Sequence, residues 1–108
     1  MSLKWDEMTE RERDKLLSET AGYTVYDDLS ISVNAIHTFD TPTSFRVFRP
    51  SVLVAHAMEL VEKSKMLFEL NGHPHTGWEA SLGSHSASAW TMPEAISLAY
   101  LGAKGVDV

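Results

Sequence analysis

Three histidines, His73, His75 and His85, fall within thirteen positions, and the first two form a His-x-His pair across Pro74. Two imidazoles at that spacing on a turn can share a metal ion, and His85 can reach it from a strand end. The competing reading is three polar residues in exposed turns. Pro74 keeps the pair extended and no third ligand stands at a dependable spacing, so the expectation is no metal and no cofactor. Ser84-His85-Ser86 sets a base beside two hydroxyls, the ingredients of a nucleophilic serine. Neighbours on a strand point to opposite faces, however, which separates the imidazole from either hydroxyl. There is no Gly-x-Ser-x-Gly elbow and no organised acid partner. The chain therefore reads as having no catalytic residue and as no enzyme. A metal-dependent hydrolase built on His73 and His75 stands as the weakest alternative.

Arg46 and Arg49 bracket Phe48 just ahead of Ser51. If Ser51 caps a helix, the free amides and partial positive charge of that helix start face two guanidiniums, a combination suited to phosphate or carboxylate. Phe45, Phe48, Trp78 or Trp90 can supply a stacking face for a base. The candidate ligand-binding set is Arg46, Phe48, Arg49, Ser51, Trp78 and Trp90, with His73 and His75 as further polar candidates. The plainer reading pairs the arginines with some of the fifteen acidic residues and places the aromatics in the core.

These groups need elements to hold them. Thr9-Glu10-Arg11-Glu12 fits a capping box, and helix formers run on to a stop at Gly22. The apolar side of that helix is thin (Leu16, Leu17 and Ala21), which predicts docking through its C-terminal half alone. Leu29, Ile31 and Val33 alternate with polar residues as a strand does, Thr41-Pro42-Thr43 breaks the chain, and residues 23–50 form either a long loop or an edge hairpin. From Ser51 a strongly amphipathic helix sets Val54, Ala57, Met58 and Val61 on one face, with His56, Glu59 and Lys63 opposite. Met66–Leu70 and Trp78–Leu82 read as strands, with Asn71-Gly72 opening the turn between them. Thr91-Met92-Pro93-Glu94 opens a last helix whose alanines at 95 and 99 permit close approach to a neighbour. Trp78 and Trp90 are expected as core anchors, and Trp5 as an exposed residue of a polar leader.

The chain has 108 residues, 44% hydrophobic and 22% charged, the size and balance of one globular domain. The expected domain covers residues 1–108, with residues 1–8 as a flexible leader. Nine basic against fifteen acidic residues leave a net charge of −6, which argues against nucleic acid as a partner. The absence of cysteine favours a reducing compartment and removes thiolate chemistry. No stretch approaches ~20 apolar residues and the N-terminus lacks the apolar core of a signal peptide, so no membrane is expected and the location reads as the host cytoplasm.

Phe48-Arg49-Pro50-Ser51, the helix ending Glu62-Lys63, the strand at Trp78-Glu79-Ala80, and Ala89-Trp90-Thr91-Met92-Pro93-Glu94-Ala95-Ile96 with Ala99 resemble the phage ABA-sandwich domain family over roughly residues 45–105. The resemblance implies an α+β fold, a small antiparallel sheet with a β-hairpin core sandwiched by about three helices, in a phage setting. It carries over no catalytic residue. With the site readings it leads to an accessory protein that acts by binding. Its ligand is a small anionic or nucleotide signal of host immunity, sequestered without cleavage, or else a host protein inhibited by an interaction module. A homo-oligomer, most simply a dimer, is expected because so small a sheet leaves an edge or apolar patch exposed.

Overall fold

In a computed structural model the described residues are 4–23, 30–33, 44–73, 75, 77–106 and 108, with backbone alone at 30–33, 44–47 and 73. After a 3-10 turn at Trp5–Glu7 come α1 (Glu10–Thr20), β1 (Ser30–Val33), β2 (Ser44–Val47) and α2 (Val54–Ser64). They are followed by β3 (Phe68–His73), β4 (Gly77–Leu82), β5 (His85–Ala89) and α3 (Met92–Ala103). β1 and β2 pair antiparallel, so residues 30–33 and 44–47 take the strand alternative. The expected break at Thr41-Pro42-Thr43 lies outside the described residues. The second sheet is antiparallel in the order β3-β4-β5, and with the three α-helices it makes the α+β class expected.

α3 is the central layer. It lies across β4 and β5 and also packs against α2, while α1 touches it more lightly. Ala95, Ile96, Ser97, Ala99, Tyr100 and Leu101 are all buried, as an inner helix requires. On the sheet, Ala80 and Leu82 are buried and share a face with Phe68, Leu70, Ala87 and Ala89, which pack against the core. The opposite face, with Glu69, Asn71, Glu79, Ser86 and Ser88, is exposed, so the helices stack on one side of an open sheet.

The Thr9 capping box forms as expected: the Thr9 Oγ1 accepts from the Glu12 amide at 3.2 Å and Glu12 Oε1 accepts from the Thr9 amide at 3.1 Å. Those bonds favour the ionised Glu12 carboxylate and hold it below the usual range. Docking of α1 extends further toward its start than its leucines imply. Asp14, Leu17, Ser18 and Ala21 are all buried, at the i, i+3, i+4, i+7 spacing of one helical face.

Two tryptophans exchange their expected roles. Trp5 is buried because Arg13 covers its ring at 4.7 Å and donates to its carbonyl oxygen through Nε at 3.0 Å and Nη2 at 2.9 Å. Trp90 is 77% exposed, since the chain turns out of β5 into α3 there and the helix buries Ala95 and Ile96 instead. Asn71-Gly72 does not turn. It continues β3 opposite Glu79 and Trp78, and the connection shortens to residues 74–76. A Cβ at Gly72 would collide with the six-membered ring of Trp78, so the glycine seats the indole across the strand pair.

Tyr100 is held above its ordinary pKa by burial and, secondarily, by Tyr23. Above about pH 10 an unfolded chain ionises this phenol while the folded one resists, so stability falls as pH rises through that range. Tyr100→Phe is expected to flatten the alkaline decline, checked by melting temperature from about pH 8 to pH 11. Parallel declines in the two proteins would refute this assignment.

Candidate functional site

The Phe48–Ser51 segment sits where all three α-helices meet. Arg49 Nη2 bonds Glu10 Oε2 at 3.0 Å, and its Nε lies 3.6 Å from Asp14 Oδ2. Asp14, 1% exposed, also accepts the Ser51 amide on Oδ1 at 2.8 Å. From α2, His56 Nδ1 accepts the Arg49 amide at 2.8 Å, and its ring stacks on Phe48 at 5.4 Å. From α3, the Ser97 hydroxyl donates to the Pro50 carbonyl at 3.0 Å. Phe48 is 1% exposed and takes Tyr23 edge-on at 5.4 Å.

This arrangement corrects two expectations. Ser51 does not cap α2: the helix starts at Val54, its N-cap is Leu53, and no side chain caps it. The buried Asp14 carboxylate draws in the Ser51 amide, and the chain makes a further turn in which Val52 and Leu53 both donate to the Arg49 carbonyl, at 3.1 and 2.8 Å. The amides of residues 51–53 are thus already spent. His56, expected opposite the apolar face, instead lies half-buried against Phe48 and Arg49, because its ring supplies the acceptor that the Arg49 amide needs.

Of the candidate ligand residues, Arg49 is engaged by two carboxylates, Phe48 and Ser51 are buried, and the Arg46 side chain lies outside the described residues. An anion approaching Arg49 meets Asp14 and Glu10 as well, which weakens its attraction. The segment works first as a tie among α1, α2 and α3. Composition did not name Asp14 or His56 as its partners. Asp14 did carry a signal, as the acid at the head of the Leu17/Ser18/Ala21 stripe.

The remaining candidates gather elsewhere. His73 pairs with Gly77, Gly72 with Trp78, and Trp78 with Ala89, so His73, Trp78 and Trp90 converge on one end of the sheet, joined by the exposed His75 in the connecting turn. The His73 side chain lies outside the described residues. Gly77 has φ 93°, and a Cβ there would come within 2.5 Å of the Ala89 carbonyl oxygen, so strand β4 starts hard against the end of β5. His85 sits at the far end of β5, paired with Leu82 and beside Gly102 of α3, which separates it from His75. Among the described residues no group of three or more metal-ligating side chains converges. A shallow cleft of about 380 Å³ is lined by Lys4, Trp5, Asp6, Glu7 and Val108, with charges of both signs. No helix of the described residues is long and apolar enough to cross a membrane.

No protein-family model matches the chain, and no curated protein matches it. Among solved structures it is similar to a phage protein from Bacillus cereus ATCC 14579, known from a 2.0 Å crystal structure. The TM-score is 0.73 at 19% sequence identity, covering 100% of this chain and 98% of that one. At this identity the likeness is one of fold, over all of this chain and nearly all of the other.

Proposed function

We propose that this chain is a non-catalytic phage accessory protein of the ABA-sandwich type that works by binding a protein partner in the host cytoplasm. The observation that carries the reading is Trp90, a large aromatic left 77% exposed at the end of the sheet where Trp78 and His75 also lie. An indole in water forgoes about 2 kcal/mol or more of burial, and tryptophan is among the residues enriched as anchors of protein contacts. The fold shared with a phage protein supports the setting. The sequence carries no Gly-x-Ser-x-Gly elbow or other catalytic motif, which suits binding better than bond-breaking.

Sequestration of a nucleotide is the second reading. Trp90 offers a free face to a base, but Arg49, the cation assigned to phosphate, is committed to Asp14 and Glu10. Native mass spectrometry of the chain purified from its host separates the two. A co-purifying protein that is lost in Trp90→Ser and kept in Arg49→Gln is the expected result. Unchanged nucleotide released by heat denaturation and lost in Arg49→Gln would replace it with the sequestering reading, and cleaved nucleotide would refute both. Trp90→Ser itself is expected to change stability by no more than about 0.5 kcal/mol, as an exposed substitution should; a larger loss in denaturant unfolding would mean the ring is structural.

A further inference from the structure

The two edges of the β3-β4-β5 sheet differ in kind. β3 carries the exposed Glu69 and is preceded by Lys63 and Lys65. β5 reads His-Ser-Ala-Ser-Ala from His85 to Ala89, with no Asp, Glu, Lys, Arg or Pro. Its ladder to β4 runs without a bulge from Leu82↔His85 to Trp78↔Ala89, and among the described residues nothing pairs with its outer side. Charges, prolines and bulges are the devices by which soluble proteins stop strand edges from pairing. β5 has none of them.

We infer that β5 is the contact between two copies of this chain, paired antiparallel about a two-fold axis at Ala87 to make one continuous six-stranded sheet. Charge selects the occupant. Each copy carries a net −6, so two copies repel unless the strip that touches is free of acid. β5 is such a strip, whereas pairing through β3 would set two Glu69 side chains along the seam. The register is self-complementary: with Ala87 on the axis, Ser86 faces Ser88 of the second copy and Ser88 faces its Ser86. On the exposed face Ser81 and Ser86 already stand with their hydroxyls 3.2 Å apart, so a row of hydroxyls would run across the joint. On the α3 side the seam sets Ala87 against its own copy and each His85 opposite the Ala89 of the second copy, so every pair includes a small residue and two α3 helices can lie over the shared sheet. The inference does not depend on the partner proposed above, but it gives that reading a consequence, because a dimer carries two copies of Trp90 and binds bivalently.

A seam of two five-residue strands forms about four interchain hydrogen bonds and falls short of the roughly 1,200 Å² of a standard interface. A weak dimer, with a dissociation constant in the micromolar range or above, is therefore expected. Analytical ultracentrifugation across micromolar to near-millimolar concentration tests it. The wild type should dimerise reversibly, S86K/S88K and S86E/S88E should each raise the dissociation constant at least tenfold, and an equimolar mixture of the two variants should dimerise again. Both positions are exposed, and circular dichroism reports whether the variants fold. If they do not, amide exchange of the wild type decides, with protection of β5 rising with concentration while β3 stays unchanged. A wild type monomeric throughout, a dimer indifferent to both charge pairs, or protection that rises anywhere but β5 overturns the inference. So does a monomer whose β5 is protected at every concentration by a co-purified peptide, since the edge would then belong to a strand from another protein.

Discussion

Asp14→Ala is expected to destabilise the fold by about 3 kcal/mol, a large part of the ~5–15 kcal/mol that holds a domain of this size. One carboxylate, 1% exposed, receives the Ser51 amide at 2.8 Å and stands 3.6 Å from Arg49 Nε. Removing it leaves a buried N–H without an acceptor and a guanidinium without its inner partner. The cost comes from stranding those groups more than from losing an attraction. Glu10 still holds the outer nitrogen of Arg49, but both of those side chains are substantially exposed, and an exposed pair contributes about 0–1 kcal/mol. Asp14→Asn keeps an oxygen for Ser51 and should recover about half of the loss. Urea unfolding followed by tryptophan fluorescence measures both. An alanine variant within about 1 kcal/mol of wild type would show that the tie among the helices is dispensable.

Ala99→Leu is the second large effect, in the opposite direction of volume. Ala99 is 1% exposed and Ala95 0% on a helix that meets both the sheet and α2. Three added heavy atoms have no empty space to enter, so either neighbouring side chains leave their rotamers or the layers move apart, at up to about 3 kcal/mol. Ala99→Ser, close in volume, should cost less unless its hydroxyl finds no acceptor. Thermal unfolding of the two variants checks the ordering. A leucine variant that melts with the wild type would mean α3 is not the tightly packed middle layer.

The ends of α1 and the start of α3 were legible because local bonds set them. Thr9 and Thr91 accept from amides three residues ahead, and Gly22 lies just past the end of α1, whatever the rest of the chain does. The close packing of α3 was legible from Ala95 and Ala99, since small residues at helical spacing have few other uses. Ser51 failed as a cap because Asp14, 37 residues away in sequence, holds its amide and the chain makes a further turn before α2 begins. Trp5 and Trp90 exchanged places for a similar reason. A tryptophan's burial depends on what is brought against it, and Arg13 was brought to Trp5 while nothing among the described residues covers Trp90.

The candidate site divides the same way. Residue types suggested an arginine–aromatic cluster, but side-chain chemistry does not say which charges will meet. Folding set two carboxylates on Arg49 and carried Trp78, Trp90 and His75 to another part of the molecule. By itself the sequence determined both ends of α1, the start of α3, the class of fold and the lack of catalytic motifs, since these follow from bonds and patterns spanning a few residues. Which polar groups are spent holding the helices together, which aromatic is left in water and which strand edge stays open were decided by the tertiary structure alone. Each of those is a competition among partners far apart in the chain, settled only when packing brings one of them within reach.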